Sequence, residues 1–420
     1  MARIWIVNHY ASTPEQPLTS AFDVAKALTS KGHEVTIFAS SYNHYRFEET
    51  RLRNDEGSRE EFVEGVRFWW IKTPPYRAND WRRVVNMVVF AVCVFNLGRA
   101  WEEKPDVVIG ATVHPLAALS AYLISRSKQV PFIYEVRDLW PLVLIEFGRV
   151  SRYGPTAWAL GSLERFLSRQ AAAIVSPLQG APEYFAKQGI PLEKVVWIPH
   201  PIELARYSQV EPADGRTSAK FTLMYVGGHV YGFALGAVLR AAEICQNTMR
   251  DSVRFVLVGG GQEKPRLIEL ANRMNLQNVE FRGIIPKSEL YRVMGEADAF
   301  ILPMRDRPGL YKYGSSFNKL CDYLAAGRPV IFAGNPSYNP VVEARAGIVV
   351  KPEDPAALVQ GIRHLMSLSA DERLRMATHG QTYVRQRHEA GKIGEQWEKV
   401  VRSALASTSA VAHRERVTAS

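Results

Sequence analysis

The sequence predicts the α/β fold class, with two parallel-sheet units in tandem, each doubly wound. Three observations carry this. The chain has 420 residues, and single hydrophobic cores stop growing at about 250–300 residues. Short β-branched runs alternate with helix-like stretches, the rhythm of a parallel sheet covered on both faces. That rhythm breaks and restarts around the polar, Pro- and Gly-containing stretch SQVEPADGRTSAK at 208–220.

The N-terminus MARIWIVNHY reads directly as a first strand. Its apolar stretch is too short for a signal peptide, so the expected location is the cytosol. EVTIFAS, RFWWIK, DVVIGA, FIYEVR, AAIVS and VVWIP continue the first unit, and FTLMYVGG, RFVLVGGG, VEFRG, AFILPM, PVIFAG and AGIVV make the second. After Pro355 the strands stop and a helical pattern with Gly breaks takes over. The expected organisation is a first domain over 1–205, a second over 206–388, a helix over 389–406 returning to the first domain, and a coreless, disordered tail over 407–420.

One segment stands apart. WRRVVNMVVFAVCVFNLGRAW, residues 81–101, leads from a basic and aromatic start into about a dozen apolar residues, fewer than the roughly 20 a bilayer span needs. It reads either as a buried helix of the first domain or as a helix with one face in an anionic membrane interface. In the second case Trp81, Arg82 and Arg83 sit at headgroup level.

Composition narrows the function classes. Apolar residues at 47% and charged residues at 22% describe an ordinary soluble globular chain. A formal charge of +10 points to an anionic partner. The lysines and arginines are scattered, not set in a stripe interleaved with aromatics, which excludes nucleic acid. Cys93, Cys245 and Cys321 lie in apolar or helical contexts without CxxC spacing, as free thiols with no disulfide framework or zinc site.

Doubly wound sheets bind ligands outside the carboxyl ends of their strands, so the residues that matter should follow strands. FAILPMRDRPGLYKYGSSFNKLCDYLAAGRPVI runs from a strand through a polar loop into a helix. Ser315 or Ser316 can cap that helix, whose free amides and dipole would hold a phosphate. Lys312 and Lys319 could add charge, and Asp322 could accept hydrogen bonds from a ribose diol. The plainer alternative is a capped helix with solvated lysines. In the first unit Asn8, His9 and Tyr10 end the first strand. EVRDLWP also follows a strand and supplies Glu135, Arg137 and Asp138, with Trp140 as a stacking platform. Asp138 is the candidate to orient or deprotonate an acceptor hydroxyl. His114 in ATVHPLA is the rival, unless it is a structural hydrogen-bond partner. FVLVGGGQEKP lacks the G-x-G-x-x-G spacing and reads as a tight turn.

Taken together, YKYGSSFNKLCDYLAAGRPVIF, NHYASTPEQP, FDVAKALTSKGHEVTIFASSYNH, VHPLAALSAY, YEVRDLWPLVLIEFG and WIPHPI resemble bacterial glycosyltransferases of family 4. Within them the chain is most similar to the O-antigen and capsule assembly type, over about residues 1–400 and in the same order. The resemblance implies a GT-B fold: two Rossmann-like domains facing across a cleft, the first for the acceptor and the second for a nucleotide sugar. It implies a retaining transfer without a metal or other cofactor, and an acceptor that is lipid-linked or a saccharide. The enzyme would be cytoplasmic, peripheral on the membrane if 81–101 meets it.

By the same resemblance, Asp322 matches the second acid of an E-x7-E pattern and Gly314 stands at the first. Ser316, Phe317 and Asn318 fall where backbone amides meet the diphosphate, with Phe317 in the place of a proline. YVGGHVYGFALGAVLRAA resembles Y-x-G-x-H-G-x-A-N-A-L-D, which puts Gly228 and His229 on the donor side. Val230, Phe233 and Gly236 replace the Gly, Asn and Asp of that pattern. The leaving-group charge would come from Lys312, Lys319 or Arg305, and the acceptor chemistry from Asp138, His114 and Arg137. A nucleotide-sugar 2-epimerase and a non-catalytic partner subunit are the alternatives on this architecture. UDP is the commonest base among the relatives; sugar, linkage and acceptor are unspecified.

Overall fold

The structure, a computed structural model, describes residues 1–15, 20–44, 46–78, 80–210, 220–249, 252–316 and 318–419, with the backbone alone at 287–288 and 408–419. Phe317 and most of the expected linker, 211–219, lie outside the described residues. The chain divides into two compact units, Met1–Pro201 with Ala390–Ser420, and Ile202–Glu389.

The first unit carries β1 (Arg3–Val7), α1 (Ser20–Thr29), β2 (Glu34–Ser40), a small pair β3 (Tyr42–Asn43) and β4 (Glu48–Glu49), β5 (Ser58–Val63), β6 (Val66–Ile71) and α2 (Trp81–Ala100). It continues with β7 (Val107–Ala111), α3 (Pro115–Lys128), β8 (Phe132–Glu135), α4 (Leu142–Glu146), α5 (Pro155–Gln170), β9 (Ala173–Ser176), α6 (Ala181–Ala186) and β10 (Val195–Trp197). Eight strands form one sheet in the order β10-β9-β8-β7-β1-β2-β6-β5. Only β5 is antiparallel, as the hairpin partner of β6. The order reverses between β1 and β7, and a crevice opens at such a switch point.

In the second unit a 3₁₀ turn, Leu204–Gln209, precedes β11 (Phe221–Val226), α7 (Leu235–Thr248), β12 (Val253–Val258), α8 (Lys264–Arg273), β13 (Val279–Arg282), α9 (Lys287–Met294) and β14 (Ala299–Pro303). α10 (Pro308–Tyr311), α11 (Asn318–Ala325), β15 (Val330–Ala333), α12 (Pro340–Ala344), β16 (Gly347–Val350), α13 (Pro355–Ser367) and α14 (Ala370–Arg387) complete it. Its six strands are ordered β13-β12-β11-β14-β15-β16, and every pair is parallel. Side chains alternate across a strand, so Met224, Val256 and Phe300 pack with Leu320 and Leu324 on one face. Leu223, Tyr225, Phe255 and Leu257 pack with α7 and α13 on the other. The switch point lies between β11 and β14, so the loops 227–234 and 304–316 border the crevice.

The last helix, α15 (Ala390–Ala419), belongs to the first unit. Ile393, Trp397, Val401 and Ala404 enter the core formed by Ile4, Phe22, Leu28 and Ile37. Where a coreless tail is expected over 407–420, the helix continues to Ala419, and residues 395–419 contain no Gly or Pro to end it. The expected boundary at 205 also shifts, because Ile202 donates its amide to His388 O at 2.6 Å and so starts the second unit.

α2 is not the buried helix that one reading expects. Only Asn86, Phe90, Val94 and Gly98, one residue every turn, are buried, and this narrow stripe packs on α3. Trp81, Val84, Val85, Val88 and Val92 are exposed. At 20 residues and a mean hydropathy of 1.5 it is long and apolar enough to cross a membrane by length and composition, which also corrects the expectation that it is too short.

A carboxylate is buried in this unit. Glu164 on α5 is 1% exposed and accepts from Tyr184 Oη at 2.7 Å and Gln188 Nε2 at 3.1 Å. Burial pushes its carboxyl up to about 7, against the pull of those two donors. Between the ordinary carboxyl range and pH 7 the native state holds a proton that the unfolded state has released, so stability falls as pH rises through that window. Glu164→Gln lacks this loss. The stability of wild type relative to Glu164→Gln is therefore expected to drop by ~2–3 kcal/mol from pH 4.5 to pH 8, measured by urea unfolding at several pH values. A pH-independent difference would contradict the assignment.

Candidate functional site

In the second unit the two glycine loops beyond β11 and β12 interlock. Gly227 donates its amide to Val258 O, and His229 donates to Gly260 O at 2.7 Å. A Cβ on Gly259 would stand 2.2 Å from Gly227 O, so the two backbones meet too closely for any side chain at that point. Gly227, at φ +148°, is constrained from its other side by a lysine: a Cβ there would lie 1.9 Å from Lys319 Cε. Lys319, in the first turn of α11, thus reaches over the end of β11.

The Lys319 ammonium lies 4.0 Å from the centre of the Phe233 ring. Phe233 therefore supplies a cation–π seat for that charge. Burial lowers Lys319 to about 8, with Asp322 opposing the shift. His229 is fully buried, between Tyr225 and Phe281. Burial lowers it to about 4, helped by Lys264 and Lys319. Neither of its ring nitrogens has a protein partner among the described residues. It is a neutral imidazole with one donor and one acceptor nitrogen.

Across the switch point, Gly314 is buried at φ +89°. Ser315 and Ser316 are half-buried and precede α11, which starts at Asn318. Asn318 Oδ1 is buried without a protein partner among the described residues. Asp322 accepts a hydrogen bond from Tyr207 Oη. Tyr323 Oη accepts from Val226 N at 2.9 Å and donates to Val226 O at 2.8 Å, tying α11 to the end of β11.

Two expected donor-site charges are placed otherwise. Arg305 pairs with Glu353 at 2.8 Å and donates from Nε to Tyr231 O. Its charge is neutralised by that carboxylate, and it lines a small cavity with Arg240, Arg266 and Gly236. Lys312 is exposed, with its ammonium over the Tyr313 ring at 4.8 Å. Of the three candidate cations, Lys319 is the one gathered with Gly227 and Phe233. Lys264, read as part of a tight turn, donates to Gly259 O and Arg282 O at 2.9 and 2.6 Å, which pins the GGG loop.

In the first unit the expected acceptor residues cluster beyond β1, β7 and β8. Asn8 and His9 are buried and Tyr10 is half-buried. His114 is the N-cap of α3: its Nδ1 accepts from Ala117 N at 3.2 Å, which leaves the proton of the neutral ring on Nε2. That Nε2 lies 2.6 Å from His9 Nδ1 and donates to it. Burial, then Arg83, lowers His114 to about 3. With both nitrogens engaged, His114 is a helix cap and not a general base, a correction to the rival reading. His9 stacks on Phe90 of α2 at 4.2 Å. Tyr10 stacks on His44 at 4.8 Å and accepts from Arg83 Nε at 3.3 Å.

Arg137 is anchored, its Nε donating to Glu135 Oε1 and its Nη1 to Ser20 Oγ, both at 2.8 Å. Asp138 follows it and is exposed, and Trp140 is half-buried. Asp138 is therefore the carboxylate of this loop open to an incoming hydroxyl, because Glu135 is taken by Arg137. Reading the sequence alone misses Tyr207, His44 and Glu353, and the pairing of Arg83 with Tyr10. Each acts through a partner distant in sequence, and no local motif marks them. Among the described residues no three His, Cys, Asp or Glu side chains gather as a metal site.

Two family models match the chain: "Glycosyl transferase 4-like domain" over residues 18–201 and "Glycosyl transferases group 1" over 220–367. The chain is 23% identical over 373 residues to WcaI of Escherichia coli (strain K12), named for glycosyl transfer in colanic acid biosynthesis, covering 82% of this chain and 87% of that one. Among solved structures it is similar to sucrose-phosphate synthase from Thermosynechococcus elongatus, with a TM-score of 0.73, 16% identity, and coverage of 97% of this chain and 100% of that chain. It is also similar to Anabaena Alr3699/HepE in complex with UDP and glucose, with a TM-score of 0.67, 13% identity, and coverage of 96% and 100%. These structural likenesses establish the GT-B fold.

Proposed function

Since the chain belongs to the glycosyltransferases that join a glycosyl transferase 4-like domain to a glycosyl transferases group 1 domain, we propose that it transfers a sugar, with retention, from a UDP-sugar to a lipid-linked or saccharide acceptor in cell-surface polysaccharide assembly. The observation that carries the donor half is Lys319 seated on Phe233 over Gly227, one turn before Asp322. An ammonium and the first amides of α11 suit a diphosphate. A carboxylate one turn on suits a ribose diol. The name of WcaI and the UDP held by the HepE structure support the polysaccharide and UDP parts of the reading.

In this mechanism the sugar–phosphate bond breaks through an oxocarbenium-like state, and negative charge builds on the departing diphosphate. Lys319 and the α11 amides stabilise that charge without a metal, each well-placed donor contributing a few kcal/mol. The acceptor hydroxyl attacks the face the diphosphate leaves and passes its proton to the departing diphosphate oxygen, which preserves the anomeric configuration. Asp138 orients that hydroxyl. The test is transfer from a panel of UDP- and GDP-sugars to a lipid-diphosphate-linked saccharide in the presence of a chelator, with the product anomer read by NMR. An α-linked product from an α-UDP-sugar is expected. A β-linked product, or consumption of nucleotide sugar without acceptor, would contradict the proposal.

The acceptor's lipid half agrees with α2, whose exposed valines and Trp81 stand beside exposed Arg82. The helix lies in the cytoplasmic membrane interface with Arg82 at the headgroups, which makes the enzyme peripheral. Arg82→Glu is expected to weaken binding to phosphatidylglycerol vesicles by about tenfold or more. Unchanged sedimentation with vesicles would rule out this docking.

A further inference from the structure

Three consecutive residues of α11 are each held by a group from a different part of the second unit. Cys321 Sγ lies 3.5 Å from His388 Nδ1 at the end of α14. Tyr323 Oη bonds both backbone groups of Val226. Between them, the Asp322 carboxylate accepts from Tyr207 Oη through Oδ1. Tyr207 belongs to the 3₁₀ turn Leu204–Gln209. Its ring is set edge-on against Tyr291 of α9, with centroids 4.9 Å apart and planes at 73°, and it packs against the core beneath α11.

We propose that Tyr207 is a positioning residue of the donor site: its hydroxyl fixes the Asp322 carboxylate in the orientation that receives the ribose hydroxyls of a nucleoside diphosphate sugar. This rests on the reading of Asp322 as the ribose-binding acid. An aspartate on a helix turns about two side-chain torsions, and only some settings present both oxygens to a vicinal diol. A phenol held by its ring removes that freedom before the ligand arrives, which lowers the ordering cost of binding. A carboxylate has about four lone-pair sites, and the bond from Tyr207 takes one of them. Burial, with Asp322 beside it, pushes the Tyr207 phenol well above its ordinary value; it keeps its proton and remains a donor throughout the physiological range. A phenylalanine would fill the same space against Tyr291, and the hydroxyl is the part that reaches Asp322.

The test is calorimetric titration of UDP and 2′-deoxy-UDP into wild type, Tyr207→Phe and Asp322→Ala. Wild type is expected to bind UDP about tenfold more tightly than 2′-deoxy-UDP, the scale of one hydrogen bond to a charged group. Tyr207→Phe is expected to weaken UDP binding about five- to tenfold and 2′-deoxy-UDP binding much less. The discrimination then collapses, while the ligand-free melting temperature stays at the wild-type value. A merely structural role would lower both affinities alike. Tyr207→Phe with wild-type discrimination, or with tighter UDP binding because the phenol competes with ribose, overturns the proposal even if Asp322→Ala abolishes binding and so upholds the donor site. Wild-type UDP affinity in Asp322→Ala overturns the reading of Asp322 and the proposal with it.

Discussion

Replacing Lys319 by alanine is expected to lower kcat/KM for the nucleotide-sugar donor by about 10²-fold or more, the scale of removing one preorganised donor from a developing anion. The side chain is the candidate cation gathered with Gly227 and Phe233, since Arg305 is neutralised by Glu353 and Lys312 lies on Tyr313. A pH signature accompanies the loss. Burial places the free-enzyme ammonium at about 8, so kcat/KM for the donor falls as pH rises through about 8 and the charge is lost. In whatever activity Lys319→Arg retains, that limb is absent, because a guanidinium stays protonated. Steady-state kinetics from pH 6 to 10 on wild type, Lys319→Ala and Lys319→Arg check both statements. An Ala variant within threefold of wild type would remove Lys319 from the reaction.

Gly227→Ala is the second large effect. Its Cβ would lie 1.9 Å from Lys319 Cε and 2.7 Å from Cδ, and its φ of +148° is one that side chains disfavour. The lysine must leave its seat on Phe233 or the loop must shift. Donor affinity is expected to fall at least tenfold, with a stability loss of about 1–3 kcal/mol for the strained backbone. Urea unfolding and nucleotide titration separate the two contributions. Wild-type affinity would mean that the lysine does not need its place over β11.

The sequence reveals the strand rhythm because parallel strands buried on both faces leave continuous β-branched runs, as in RFVLVGGG and AFILPM. It also shows the loop proposed to take the donor, because a glycine–serine turn and a lysine ahead of a helix form a local pattern. What it hides is non-local. Tyr207 and Asp322 are 115 positions apart, and Arg305 and Glu353 are 48 apart; no spacing rule joins such pairs. His114 reads as a free base until α3 is seen to begin at Pro115 and take the imidazole as its cap. The apolar run at 81–101 shows its composition but not how narrow a stripe the fold covers. Phe233 reads as a departure from a family pattern, and only the structure turns that departure into a seat for Lys319.

The central claim is that the ends of β11 and the start of α11 hold the diphosphate and ribose of the donor. Amide hydrogen exchange with and without UDP tests it most directly. The account predicts slowed exchange at residues 227–229 and 318–323 in the UDP-bound protein, lost in Lys319→Ala at the same nucleotide concentration. UDP binding that leaves these amides unchanged and protects a different region would contradict it.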